Sequence, residues 1–73
     1  MDLHELKIRF TYHRPTEKLY KLLDQVRVKG FRFAELLITM LPESRERSIA
    51  VRKIEEAVFW AQAALTRNEA DRD

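Results

Sequence analysis

The sequence predicts an all-α protein, an antiparallel two-helix hairpin with a short N-terminal segment, assembled into a helical homo-oligomer. Two long stretches, 16–41 and 44–68, carry apolar residues at the spacing of three and four that an amphipathic helix requires. The connection between them is very short, and short connections place helices side by side and antiparallel. The 73 residues form a single domain, 1–73, whose hairpin has too little core to stand alone.

The N-terminal segment, 1–15, is predicted to be extended. Residues 6–12 alternate apolar and polar with a period of two, which is typical of a strand. The apolar side would hold Leu6, Ile8, Phe10 and Tyr12. Pro15 ends the pattern because it lacks an amide, and one strand cannot pair with itself. We therefore expect this segment to lie on the helices or on another chain.

The first long helix, 16–41, is predicted to begin at Thr16, whose hydroxyl can cap an amide of the first turn. An unbroken heptad seam follows, formed by Leu19, Leu23, Val26, Gly30, Phe33, Leu37 and Met40. Glycine within a helix costs about 1 kcal/mol relative to alanine. We expect Gly30 to mark a close crossing of helices, with or without a bend, rather than the passage of a ligand.

The second long helix, 44–68, is predicted to begin at Ser44, directly after the helix-stopping Pro42. Its seam consists of Val51, Ile54, Val58, Ala61 and Leu65, and it is flanked by Ala50, Ala57 and Ala64. Phe59 and Trp60 lie away from the seam. A single partner helix cannot bury all of these residues, so we expect this helix to contact other chains as well.

Charge and composition restrict the function. Residues 1–32 hold eight Lys or Arg against four Asp or Glu, whereas residues 33–73 hold six against eight. The overall charge of +2 is weak for coating a long nucleic acid but suits a small phosphorylated ligand. The chain has no cysteine, no apolar run long enough to span a membrane and no signal-peptide pattern, so we expect a cytosolic protein.

The sequence has no catalytic motif: we find no nucleophile elbow, phosphate-binding glycine loop or metal-spaced histidine cluster. We expect neither an enzyme nor a cofactor. Tyr12, beside His13, could stack on a base while Arg27, Lys29 and Arg67 supply positive charge for phosphates. The alternative is that Tyr12 packs on a helix and the cations are merely solvated. The residues alone leave both interpretations open.

Three segments together resemble a known family. They are Phe10-Thr11-Tyr12-His13 with Pro15-Thr16, then Pro42-x-Ser44-Arg45-Glu46-x-Ser48-x-Ala50, and then Glu55-x-Ala57-x-x-Trp60-Ala61-x-Ala63-Ala64-x-x-Arg67-Asn68. Their order and content are similar to those of the phage anti-CBASS cyclic-nucleotide sponges, which share a hairpin domain with a class of anti-Thoeris sponges. The resemblance covers nearly the whole chain.

The resemblance implies a compact homohexamer in the cytosol of the infected bacterium. It would hold cyclic dinucleotides such as cGAMP, and also cyclic trinucleotides, without cleaving them. Tyr12 and Arg67 match positions that contact the ligand in the family. The family also has a ligand-contacting basic residue in the first long helix, and the same number of residues counted from the tyrosine leads to Arg27 in this chain. His13 and Lys29 are further ligand-binding candidates, while Phe31 stands where relatives often carry lysine.

The alternative function is that of a small helical regulator or oligomerisation module that binds nucleic acid or a protein partner.

Overall fold

The computed structural model describes residues 1–11 and 15–69, and within these ranges the chain is helical with no strand. The three helices are α1 (Leu3–Phe10), α2 (Glu17–Met40) and α3 (Arg45–Glu69). Helices α2 and α3 form the one extensive helix–helix contact among the described residues. The all-α hairpin predicted from the sequence is therefore confirmed.

Helix α1 corrects the prediction of an extended segment over 1–15. Asp2 caps the helix, since its Oδ1 accepts a hydrogen bond from the amide of Glu5 at 2.8 Å. Arg9 forms an ion pair with Glu5 four residues earlier, at 2.8 Å. The helix ends at Thr11, which has extended backbone angles and donates from its hydroxyl to the Lys7 carbonyl. These local interactions outweigh the two-residue alternation, which has no neighbouring strand to pair with.

The ends of α2 follow the capping predicted from the sequence. Thr16 Oγ1 accepts a hydrogen bond from the amide of Leu19 at 3.1 Å, and this confirms Thr16 as the N-cap. At the other end, the amide of Leu41 donates to the Leu37 carbonyl at 2.9 Å while Leu41 itself is extended. Pro42 follows and cannot continue the helix. Helix α2 is therefore one residue shorter at each end than the stretch 16–41.

The connection to α3 is held by two side chains. Ser44 Oγ accepts from the amide of Arg47 at 3.1 Å and donates to the Pro42 carbonyl at 3.0 Å, so Ser44 caps α3 as predicted. The Arg47 guanidinium donates to the carbonyls of Ile38 and Leu41, both at 3.3 Å. A cation from the first turn of α3 thus binds the free carbonyls at the C-terminus of α2, where the helix dipole favours positive charge.

The two seams meet along the hairpin, and Gly30 lies at the crossing. A Cβ atom at position 30 would overlap the Cγ2 of Val58 and lie 4.0 Å from that of Ile54. This confirms the predicted close approach. All five seam residues of α3 are half-buried, but Phe33 and Met40 of the α2 seam remain exposed.

Very little of the chain is buried. Leu19 is the one buried residue among those described, and many large apolar side chains stay exposed. The accessible surface is 6403 Å², whereas a compact monomer of 8.8 kDa would expose about 4,800 Å². The excess of about 1,600 Å² agrees with the thin shape of the fold, whose principal extents are 46 × 29 × 14 Å.

Candidate functional site

One polar-edged groove lies between α2 and α3 at the open end of the hairpin, and we call it the Lys29 groove. Its volume is about 720 Å³, within the ~300–1,000 Å³ of typical small-molecule sites. Its lining consists of Leu22, Gln25, Val26, Lys29, Ala61, Ala64, Leu65 and Asn68. An ammonium and two amide groups therefore surround an apolar floor.

The polar groups of the Lys29 groove are available for a ligand. Lys29 is exposed and has no ion-pair partner among the side chains of 1–11 and 15–68. Asn68 donates from Nδ2 to the Ala64 carbonyl at 2.8 Å, which fixes the amide at the rim and leaves Oδ1 as an acceptor. Gln25, one turn before Lys29, completes the polar edge. The arrangement suits a ligand that combines an anion, a flat apolar surface and hydrogen-bonding edges.

A second groove continues from the first toward the helix connection, and we call it the alanine groove. It has a volume of about 540 Å³ and is much more apolar than the Lys29 groove. Its lining consists of Val26, Lys29, Gly30, Phe33, Leu37, Ala50, Lys53, Ile54, Ala57, Val58 and Ala61. Two lysines and no carboxylate contribute to this lining.

A third cavity, the Arg67 pocket, has a volume of about 350 Å³. It is lined by Leu23, Phe59, Gln62, Ala63, Thr66 and Arg67, none of which lines the other two grooves. Leu22 lines the Lys29 groove and Leu23 the Arg67 pocket, and successive helical residues diverge by about 100°. The two cavities therefore open on different sides of the hairpin.

The Arg67 pocket offers aromatic and polar surfaces beside its cation. The rings of Phe59 and Trp60 form an edge-to-face pair with centroids 5.4 Å apart, and both remain more than half exposed. The Thr66 hydroxyl donates to the carbonyls of Gln62 and Ala63 at 3.1 and 3.2 Å. Gln62 lines the same pocket, and its side-chain amide carries both a donor and an acceptor for a ligand.

Of the five predicted ligand-binding residues, the three that the structure describes do not line one common cavity. Lys29 and Arg67 line separate cavities. Arg27 lines none of the three and forms an exposed ion pair with Asp24. Tyr12 and His13 lie outside the described residues.

Sequence reasoning missed Gln25 and Asn68 as lining residues. The signal that could have identified these two residues is the antiparallel pairing of the long helices, which places the start of α2 next to the end of α3.

No three His, Asp or Glu side chains within 1–11 and 15–68 come together in a way that could hold a metal ion. Over the same part of the chain, none of the helices combines the length and apolar character needed to cross a membrane.

Comparison with protein families gives one match. The family model described as "Acb2/Tad1, hairpin domain" covers residues 2–66, which include α1, α2 and most of α3. Comparisons with curated proteins and with solved structures found no match.

Proposed function

The chain belongs to the Acb2/Tad1 hairpin-domain family, the anti-CBASS and anti-Thoeris sponges, and on that premise we propose that it sequesters cyclic oligonucleotide second messengers. By holding the messenger, the protein would keep it from the effector of a CBASS-type defence system in the cytosol of the infected bacterium. The observation that carries the proposal is the match over 2–66, which spans nearly the whole described chain.

The grooves support this function on physical grounds. A cyclic dinucleotide has two phosphates and two flat bases, so its capture needs cations, apolar surfaces and hydrogen-bonding edges. The Lys29 groove combines these features, and so does the Arg67 pocket with Phe59 and Gln62. Sponges of this family act by binding rather than by catalysis, and we propose that the ligand is released unchanged.

We propose two kinds of site on the two sides of the hairpin. The dinucleotide site would lie between copies, because Arg27 and Lys29 are two residues apart and so face different sides of α2. It would use Lys29 of one copy and the family-matched Arg27 of another, together with the family-matched Tyr12 and the neighbouring His13. The Arg67 pocket would take a larger cyclic trinucleotide. The absence of shared lining residues between the Lys29 groove and the Arg67 pocket supports this division.

We further propose that the protein assembles into a hexamer whose protomers close over the ligands. A standard interface buries about 800 Å² per partner, so the excess surface of about 1,600 Å² is enough for two such contacts per chain. Excluding water from a groove would strengthen each charged contact within it. Sedimentation at micromolar concentration tests this, and a well-folded monomer would contradict it.

Binding of a fluorescent cyclic dinucleotide, measured beside duplex DNA of equal label, tests the function itself. We expect saturable binding of the cyclic dinucleotide only, and recovery of the intact nucleotide after heat denaturation of the complex. Preference for the duplex would favour a nucleic-acid regulator, and binding of neither would favour an oligomerisation module. Linear products would reveal an overlooked active site.

Titration calorimetry of single variants tests the sites. Tyr12→Ala should weaken dinucleotide binding by ~1–3 kcal/mol through loss of stacking. Arg27→Ala should weaken it by about 1.5–3 kcal/mol through loss of a charge-assisted contact, and Lys29→Ala by a similar amount. Lys21→Ala, an exposed lysine of α2 that lines none of the cavities, is the matched control.

The Arg67→Ala variant separates the two kinds of site. It should abolish trinucleotide binding and spare dinucleotide binding. If it loses both ligands while its sedimentation is unchanged, one shared site replaces the two that we propose.

A further inference from the structure

The outer side of α2 carries an aromatic ring next to a cation. Arg27 and Phe31 are four residues apart, so they are neighbours on one face of the helix, which is turned away from the apolar seam. Phe31 is 55% exposed, and the Arg27 side chain is 63% exposed. Neither residue lines any of the three cavities described above. This face of α2 is therefore accessible to a ligand in the single chain.

The ring and the guanidinium are placed for two different contacts. Side chains of a helix lean toward its N-terminus, so the Phe31 ring leans over the turn that begins at Arg27, about 6 Å away along the axis. The guanidinium leans further in the same direction and donates from Nη2 to Asp24. A guanidinium has five N–H donors, so the bond to Asp24 leaves others that can bind a phosphate.

We propose that Phe31 is a base-stacking residue of the cyclic-dinucleotide site. One base of the ligand lies on the Phe31 ring, and the phosphate next to that base binds Arg27 of the same copy. This inference rests on the proposed function and adds to its site a residue that the site does not yet include. The sugar of a nucleotide holds its base beside its phosphate, and α2 holds the ring beside the guanidinium in the same way. Aromatic rings beside cations are a general means of holding nucleotides whose bases are unpaired.

The position of the acidic residue selects Phe31 over the other aromatic of this face. Tyr20 lies on the same side of α2 and is 59% exposed, but it is seven residues before Arg27, or about 10 Å along the axis. The Asp24 carboxylate lies between Tyr20 and Arg27, where it repels a phosphate. No acidic residue lies between Arg27 and Phe31. Tyr20 is therefore a matched control, an exposed aromatic on the unfavourable side of the same cation.

The chemistry of the ring predicts what it contributes to selectivity. A phenyl group neither donates nor accepts hydrogen bonds, so Phe31 can contact the face of a base but cannot read its edge. Its contribution to affinity should be similar for adenine and guanine, because every base has a π-face. Discrimination between these bases is then left to groups with donors and acceptors, such as Gln25 and Asn68 of the Lys29 groove.

Titration calorimetry with cyclic di-AMP and cyclic di-GMP tests the stacking contact. Phe31→Leu keeps an apolar side chain but removes the ring, so it should weaken binding of both ligands by at least about fivefold. Phe31→Trp keeps an aromatic face and should bind both like the parent chain, and so should Tyr20→Leu. Parent-like binding by Phe31→Leu would overturn this inference and leave the proposed function standing. A parent chain that binds neither ligand would overturn both.

Sedimentation of the same variants separates a ligand contact from a contact between copies. Phe31→Leu should sediment like the parent chain with and without ligand. If its assembly is lost together with its affinity, another copy covers Phe31 and the stacking assignment is wrong.

Fluorescence gives a measurement that a merely structural role would not change. Trp60 is the one tryptophan of the chain, so Trp60→Phe provides a background without tryptophan emission. In that background, the indole of Phe31→Trp should be quenched when cyclic di-GMP stacks on it. Tyr20→Trp in the same background is the control, and saturating ligand should quench Phe31→Trp at least about twice as much. Equal quenching at the two positions in chains that bind the ligand would overturn the proposal.

Discussion

The crossing of α2 and α3 at Gly30 gives the sharpest stability prediction. Gly30→Ala introduces one methyl group into a space that Val58 already occupies. That methyl would overlap Val58 Cγ2 and lie 3.7 Å from Val58 Cβ and 4.0 Å from Ile54 Cγ2. The overlap involves a β-branched side chain with restricted χ1, which cannot swing aside without strain.

Two opposing terms set the magnitude. Alanine stabilises a helix interior by about 0.8–1.0 kcal/mol relative to glycine. Overpacking a close contact costs about 1–3 kcal/mol. We therefore expect Gly30→Ala to lower the free energy of unfolding by about 1 kcal/mol in the parent chain. In a Val58→Ala background the obstructing carbons are absent, so the same substitution should raise it by nearly 1 kcal/mol.

The assay is urea unfolding followed by circular dichroism for the four chains of this double-mutant cycle. All four must be measured at one chain concentration, because the stability of an oligomer depends on it. The decisive result is that Gly30→Ala lowers the free energy of unfolding in the parent chain and raises it in the Val58→Ala background. If Gly30→Ala stabilises both, the helices do not cross closely at this point. If it destabilises both by the same amount, Val58 is not the obstacle and our account of the crossing is wrong.

Two further predictions concern arginines. Arg47→Ala removes the donors to two carbonyls at the end of α2, so it should lower the free energy of unfolding by about 1 kcal/mol. Urea titrations measure this effect, with Arg52→Ala as the exposed control. Equal losses of stability in the two variants would contradict the capping role of Arg47. Asp24→Asn frees Arg27 from an exposed ion pair worth about 0.2–1 kcal/mol. If the proposed function is correct, the freed guanidinium should tighten cyclic-dinucleotide binding up to about fivefold, which calorimetry can measure. Asp24→Asn in an Arg27→Ala background should change nothing, and a gain there would show that Asp24 acts on the ligand directly.

The hairpin could be predicted closely because its signals are local. Thr16 and Ser44 cap the two long helices, and Pro42 ends the first, so each predicted boundary lies within one residue of the observed one. The crossing at Gly30 was likewise evident from a glycine on an otherwise apolar seam. In contrast, Arg47 acts across the connection, and nothing in its sequence neighbourhood indicates that its guanidinium reaches back to α2.

The short alternation at the N-terminus is an ambiguous signal. Leu6, Ile8 and Phe10 fit a period of two, but Leu3, Leu6 and Phe10 fit a helix equally well. The Asp2 cap and the Glu5–Arg9 pair decide for the helix, and the residues of both interactions have the spacing in the sequence that such interactions require. A lone strand with no partner is also unstable, which is why the extended prediction is wrong for this segment.

The site was less predictable than the fold because its residues meet only through the helix register. Asn68 and Lys29 are 39 positions apart, and their shared groove depends on how far α3 runs back along α2. Lys29 and Arg67 lie on two different sides of the hairpin because of the angle at which each helix is rotated about its own axis. The apolar seams predict that angle only approximately. Residue types indicated the chemistry, whereas tertiary packing decided which groups share a cavity.

A hairpin this thin has a consequence for the proposed function. The described helices enclose no interior, so in the proposed assembly each ligand site would be an open groove until another copy covers it. A ligand held between copies binds the assembled state more tightly than the free chain, and by linkage it must also favour assembly. At a free ligand concentration one hundred times Kd, one site would stabilise the assembly by about 2.7 kcal/mol. When the protein is diluted, the fraction of bound ligand should therefore fall more steeply than a one-site isotherm allows. Addition of ligand to the diluted protein should restore the assembly.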